Sequence, residues 1–316
     1  MARKPDSAAR LDDAARAGWL YYVAGRTQDE IAAAMGISRQ SAQRLVSLAM
    51  AERLVKVRLD HPIGACLELS AALKDKFSLR HVEVVPTDPG SPSSTVGIAE
   101  AGAAEIERWL KLPDPTVLAV GTGRTLKAAI DQLSPMDCPQ HRIVSLTGNI
   151  GRDGSVAYYN VIFSMAEAVK ARHFTMPLPV LVSSMEERDV LHNQALVRSA
   201  LELGATADVA FVGVGELGVD GPLCQDGFLD PAEMGRLVEA GAAGEICGWM
   251  YDRDGQLMPG IRDRVASVPL PDTQRCTVIG MAKGPRKLPA LAAALRGRVL
   301  NGLITDEATA EALLKV

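Results

Sequence analysis

Residues 27–50 read TQDEIAAAMGISRQSAQRLVSLAM, and this stretch decides how the head of the chain folds. Thr27 followed three residues later by Glu30 is a capping box, so a helix starts here. Ile31 and Met35 lie four apart and share one face, and Ala32 is small where two crossing helices must approach. Gly36 stands after the last apolar residue, where a left-handed cap is cheapest for glycine. Ile37 fills the turn, and Ser38 is a good N-cap for a second helix. Ala42, Leu45, Leu48 and Ala49 are expected to form that helix's buried stripe. The pattern predicts a helix-turn-helix, with an ordinary helical hairpin as the alternative.

The second helix then leaves Arg39, Gln40, Gln43 and Arg44 facing away from the core. Arginine pairs bidentately with guanine and glutamine with adenine, so this face has the chemistry of base edges. A helix of this kind lies in the major groove with its N-terminal residues nearest the bases. Ser38, Arg39, Gln40, Gln43 and Arg44 are therefore candidate contacts to double-stranded DNA.

On the N-terminal side, Ala8, Leu11, Ala15, Trp19 and Tyr22 recur at intervals of three and four. They predict a helix that covers the helix-turn-helix and ends at Gly25. On the C-terminal side, Val55, Val57 and Leu59 alternate with Lys56 and Arg58, the period of a strand. Such a wing would bring Lys56 to phosphates, which position a protein without specifying sequence; a solvated edge strand fits the pattern equally. Asp60-His61-Pro62 breaks it, which predicts a DNA-binding domain over 1–59 and a second domain over 60–316.

The bulk numbers agree with two domains. The chain has 316 residues, 47% of them apolar, enough for a large core, but only 4% aromatic. The net charge of −4 hides an asymmetry: residues 1–60 carry more Lys+Arg than Asp+Glu, and the remainder is acidic. The odd set of five cysteines shows no CxxC spacing, the five histidines are scattered, and no GxSxG elbow occurs. These observations argue against a metal, cofactor or redox centre. Without a signal-peptide core or a membrane-length apolar run, the expected location is the cytoplasm, with no membrane partner.

Beyond residue 62 helical and strand patterns alternate, the mark of a mainly parallel α/β sheet with helices on both faces. Strands are expected at His81–Val85, Thr116–Val120, Arg142–Leu146, Val180–Ser183, Asp208–Val214, Thr277–Met281 and Val299–Ile304. Helices are expected at Val96–Leu110, Thr125–Leu133, Val156–Arg172, Gln194–Leu203, Pro231–Ala240, Lys287–Leu295 and Asp306–Leu314, after a helical stripe of Cys66, Leu69, Leu73 and Phe77.

Ligands of such sheets bind beyond the strand carboxyl ends. Gly121-Thr122-Gly123-Arg124-Thr125 stands at one of these, with flexible backbone, two hydroxyls, a cation and a helix N-terminus. It suits an anion, or is simply a tight turn; it is not a P-loop. Thr147-Gly148-Asn149 is a second turn of this type; Gly213-Val214-Gly215-Glu216 ends another strand, its glycines readable as structural only. Glu245 and Asp252 flank a Gly-rich segment, where a carboxylate would accept hydrogen bonds from sugar hydroxyls or remain a solvated loop acid. Lys287 at a helix start opposes the dipole unless an anion is bound or water solvates it.

From about Trp19 to Leu314 the chain resembles the SorC family of sugar-responsive bacterial transcriptional regulators, sometimes grouped with DeoR-type regulators. The stretches that carry the resemblance are Thr27–Leu48, Asp60-His61-Pro62, Gly121–Leu126, Ala243–Gly255 and Leu300–Leu314. It implies an effector domain similar to ribose-5-phosphate isomerase and glucosamine-6-phosphate deaminase, with catalysis lost. It also implies a homo-oligomer, dimer or tetramer, and an effector that is often a phosphorylated sugar. The family's GxGxTL turn falls on Gly121, Gly123, Thr125 and Leu126, its acidic site residue on Glu245 and its lysine on Lys287. Two positions depart from the pattern: Thr122 replaces an aromatic residue, and Gly148-Asn149 replaces a pair of glycines. The expected effector is thus a sugar, a sugar phosphate or an unphosphorylated polyol. The alternative is a sugar-phosphate isomerase or deaminase carrying a helical module, with Glu245 or Asp252 as its base.

Overall fold

The computed structural model describes residues 5–52, 54–55, 63–91, 93–148, 150–151, 155 and 160–316. The chain divides into two compact units, 1–62 and 63–316. The expected division between 59 and 60, together with Lys56 and most of the expected wing, lies outside the described residues; Leu54 and Val55, which precede them, are not in a strand.

The first unit contains helices α1 (Pro5–Tyr22), α2 (Gln28–Met35) and α3 (Arg39–Ala51). Ala17, Ile31, Ala32, Ala42 and Val46 form its core, with Leu20, Met35, Ile37 and Leu45 packed around them. The buried face of α1 is rotated from the expected stripe. Ala14 and Ala17 are buried, whereas Trp19 is 56% exposed and Tyr22 39%. Close approach of α1 to α3 explains the rotation. A Cβ on Gly18 would stand 2.8 Å from the Ala49 Cβ and 2.7 Å from Val55 Cγ2, so only the smallest side chains fit that crossing. Similarly, Val46 rather than Leu48 joins Ala42 and Ala49 in the stripe of α3.

The second unit begins with α4 (Gly64–Phe77), β1 (His81–Val85), α5 (Val96–Leu110), β2 (Val117–Val120), α6 (Arg124–Ile130) and β3 (Met136–Ser145). It continues with α7 (Val161–Ala168), β4 (Val169–Phe174), α8 (Met185–His192), α9 (Ala195–Ala205), β5 (Val209–Gly213), α10 (Pro222–Gln225) and α11 (Pro231–Glu239). A hairpin of β6 (Ala242–Ile246) and β7 (Trp249–Asp252) follows, then β8 (Thr277–Met281), α12 (Leu288–Arg296), β9 (Gly302–Asp306) and α13 (Glu307–Leu314).

Seven strands form one parallel sheet in the order β1-β9-β8-β5-β2-β3-β4. Side chains alternate between its faces, as a period of two requires. Leu118, Val120, Val209 and Phe211 pack under α5, α6 and α7, while Ala119, Ala210 and Val212 pack with α4, α9, α12 and α13. Of the expected helix over 156–172, residues 156–159 lie outside the described residues; the helix runs Val161–Ala168, and Val169–Phe174 pairs with β3 as the edge strand. The expected strand at 180–183 is reduced to one bridge, Leu181 to Val265. The β6–β7 hairpin and α8 are elements the sequence pattern did not announce. Among the described residues no helix is long and apolar enough to cross a membrane.

This strand order fixes where the sheet's topological switch point lies. From β2 the chain moves outward through β3 to β4, then returns to place β5 on the other side of β2. The connections leaving β2 and β5 diverge there, and in open parallel sheets that switch point is where ligands bind.

Candidate functional site

Candidate surfaces lie in both units. In the first, Thr27 and Glu30 close the capping box: the Thr27 N–H donates to the Glu30 carboxylate at 2.8 Å, and the Glu30 N–H to the Thr27 hydroxyl at 3.3 Å. Gly36 takes the left-handed conformation at φ 67°, and Ser38 Oγ accepts the Ser41 N–H at 3.2 Å. These caps start α3 where its buried face meets the core and its opposite face meets water. Ser38, Arg39, Gln40, Gln43 and Arg44 are all exposed. Arg39 lies 3.6 Å from Asp29 with both side chains about two-thirds exposed, a pairing too weak to hold the guanidinium against a competing ligand. Arg10 of α1 lines a shallow groove with Gln40, Gln43, Arg44 and Ser47.

In the second unit three turns converge at the switch point. Gly121–Thr125 leaves β2, Gly213–Glu216 leaves β5, and Cys247-Gly248 joins β6 to β7. A Cβ on Gly213 would lie 2.6 Å from the Thr122 carbonyl, and one on Gly121 2.8 Å from Cys247 Sγ. Glycine is what lets the three meet. Cys247 and Gly248 both have positive φ, 54° and 85°, as a two-residue hairpin turn of matching twist requires. Burial pushes the Cys247 thiol far above its ordinary range, so it is an uncharged packing group here.

Glu245 is buried beside this junction, and its Oε2 accepts the Gly248 N–H at 2.8 Å. Burial raises its pKa; the Gly248 N–H and the Lys287 charge oppose the rise, and Glu216 and Asp226 add to it. Lys287 donates to the Val214 carbonyl at 2.6 Å and is also hydrogen-bonded to the Glu216 carboxylate. Arg286 stands 3.9 Å from the same carboxylate. Burial would push Glu216 up, but the Lys287 hydrogen bond and charge outweigh it and hold the carboxyl below its usual value.

Most of the expected ligand residues thus lie on or beside the turns that meet at this junction: Gly121, Thr122, Gly123, Arg124, Thr125, Glu245 and Lys287. Arg124 is exposed at its rim, and Thr122 and Thr125 are half-buried. The second turn follows the neighbouring strand β3. Thr147 is buried with its hydroxyl lacking a hydrogen-bond partner, and Gly148 packs so tightly that a Cβ would lie 2.2 Å from the Leu178 carbonyl. Asn149 lies outside the described residues. Asp252 is not brought to the junction by the hairpin register: it pairs with Ala242, at the opposite end from the Cys247-Gly248 turn. Its Oδ1 accepts the N–H groups of Asp254 and Gln256, both at 2.9 Å, and so caps its own turn. The residue that sequence reasoning passed over is Glu216. Its position at the end of a Gly-x-Gly turn after an apolar strand was the available signal.

Residues 61–315 match the model of the sugar-binding domain family Sugar-bind. The erythritol catabolism regulatory protein EryD of Brucella abortus (strain 2308) is 32% identical over 304 residues, covering 95% of this chain and 96% of its own length. The transcriptional regulator LsrR of Enterobacter sp. (strain 638) is 32% identical over 307 residues, covering 95% of this chain and 92% of its own. The full-length sorbitol operon regulator SorC from Klebsiella pneumoniae superposes with a TM-score of 0.70 at 24% identity, over 96% of this chain and 99% of that one. At that identity the structural likeness establishes the fold.

Proposed function

The chain belongs to the SorC family of sugar-binding transcriptional regulators, and from that premise we propose that its head reads operator DNA under the control of a polyhydroxy effector held at the switch point. The protein is a sugar-responsive regulator of transcription, and the isomerase or deaminase alternative falls away because its full-length relatives are regulators. The observation that carries the DNA reading is the exposed polar face of α3, where Arg39, Gln40, Gln43 and Arg44 point outward from a helix capped by Ser38.

In this reading Ser38, Arg39, Gln40, Gln43 and Arg44 contact the duplex, with Lys56 on phosphate. Gly121–Thr125, Thr147–Asn149, Glu245 and Lys287 form the effector site. Asp252 is not part of it: it caps the 252–256 turn at the far end of the hairpin. The domains are 1–59 for DNA and 60–316 for effector and assembly. The protein acts in the cytoplasm as a homo-oligomer, dimer or tetramer, which presents recognition helices in pairs to a two-fold operator. Because EryD is named for erythritol catabolism, polyols and their phosphates head the list of effectors to try. An effector shifts DNA binding only by its differential affinity for two states of the assembly.

Fluorescence anisotropy on DNA flanking the protein's own gene tests the reading. Binding at low salt that changes when a polyol or sugar is added is the expected result. No binding to any flanking segment, with or without those compounds, would refute it.

A further inference from the structure

Resting on the effector reading of the switch point, we propose that Glu216 is a specificity-determining residue that turns the site against phosphorylated effectors and selects an uncharged polyhydroxy ligand. The cation best placed to receive a phosphate is already engaged. The Lys287 ammonium is hydrogen-bonded to the Glu216 carboxylate and to the Val214 carbonyl, with its side chain 20% exposed and that of Glu216 only 11%. Arg286 is directed at the same carboxylate from 3.9 Å. A phosphate that took Lys287 would leave Glu216 enclosed without its partner and facing the dianion, an arrangement disfavoured by both desolvation and like charge.

Hydrogen-bond polarity argues the same way. Ionised carboxylates only accept. Gly215, next to Glu216 in the chain, is bridged to Glu245, so the two side chains share one neighbourhood. A phosphate monoester adds further acceptors beside the ionised Glu216 carboxylate. Hydroxyl groups can donate to the Glu216 carboxylate and still accept from main-chain N–H groups at the start of α6, over Gly123–Thr125. The unpartnered, buried Thr147 hydroxyl on the neighbouring strand end is a further group suited to a hydroxyl ligand. Arg124 argues for phosphate, but it is exposed at the rim, where water screens an ion pair. Specificity of this kind comes from a repulsive element as much as from an attractive one.

The test compares matched pairs, erythritol with erythritol 4-phosphate and sorbitol with sorbitol 6-phosphate, by calorimetry and thermal shift on the full chain. Wild type is expected to bind at least one free polyol about tenfold or more tighter than its phosphate. Glu216→Gln is expected to shift that ratio toward the phosphate by about tenfold, whereas Glu216→Asp, which keeps the charge, retains the rejection. Tighter binding of the phosphate by wild type, or an unchanged ratio in Glu216→Gln, overturns the proposal while leaving the effector reading intact. If Glu216→Gln fails to fold, the wild-type ratio decides. Failure of all four compounds to bind a chain that still binds DNA overturns this inference and removes polyols from the effector reading as well.

Discussion

Gly215 and Glu245 exchange two main-chain hydrogen bonds, Gly215 N–H to Glu245 C=O at 2.9 Å and Glu245 N–H to Gly215 C=O at 3.2 Å. This bridge fastens the β6–β7 hairpin to the end of β5 and folds the Glu245 side chain over Gly215. A Cβ at Gly215 would lie 1.9 Å from Glu245 Oε1. Gly215→Ala must therefore expel the carboxyl from its place or break the bridge. The expected result is loss of the effector-induced thermal shift with DNA binding by the head retained. An unaltered ligand shift would show that Glu245 takes no part in binding.

On the head, Arg39→Ala and Gln43→Ala are each expected to weaken binding to the cognate operator by about 1–3 kcal/mol and to relax its sequence preference. Both side chains are exposed on α3, and the Asp29 contact of Arg39 lies between well-solvated groups, so little folding stability depends on either. Anisotropy against operator variants, with thermal melts as a fold control, separates recognition from stability. Unchanged affinity in Arg39→Ala would move the reading surface elsewhere.

The contrast between the two units shows what a sequence encodes locally. The helix-turn-helix was legible because its determinants sit within three or four residues of one another: Thr27 with Glu30, Ser38 with Ser41, Gly36 at its turn. The burial of α1 was misplaced by one position because it depends on Gly18 meeting Ala49 and Val55, which periodicity cannot see. In the second unit the alternating pattern gave the parallel sheet and the glycine turns. The β6–β7 hairpin was hidden because its turn is Cys247-Gly248 rather than a common turn pair. The partnership of Lys287 with Glu216, separated by 71 residues, exists only once the sheet order brings β5 and β8 side by side. Asp252 misled because a turn-capping aspartate and a ligand-binding one look alike in sequence.

Lys283 and Asp306 form a buried ion pair at the carboxyl edge of β8 and β9. The ammonium lies 2.8 Å from Asp306 Oδ2 and donates to the Ser94 carbonyl at 3.0 Å, with side chains 9% and 3% exposed. Asp306 Oδ1 also caps α13 by accepting the Thr309 N–H. Lys283→Met leaves a buried carboxylate without its cation and is expected to cost about 3–5 kcal/mol. Pairing it with Asp306→Asn, which keeps the cap, should recover most of the loss. Denaturant melts of the single and double variants measure the difference.

Glu83 gives the larger unit a characteristic pH dependence. It lies on β1, at the sheet edge, near Glu105, which is buried and bound by Arg108 and by the Trp109 indole N–H. Burial, with a contribution from the Glu105 charge, pushes the Glu83 carboxyl up to about 7 from an ordinary 4.5. Between those values the folded chain holds a proton that the unfolded chain releases. Stability from this group is therefore present at low pH, declines as pH rises through the window, and is flat above it. His81 acts in the opposite sense: burial lowers its pKa, so its contribution is lost as pH falls. The two are separated by the difference between wild type and Glu83→Gln. That difference should grow from pH 5 to pH 7.5 in favour of the glutamine variant, by on the order of 1–3 kcal/mol. Parallel stability curves across that range would mean that Glu83 is ionised in the folded protein throughout.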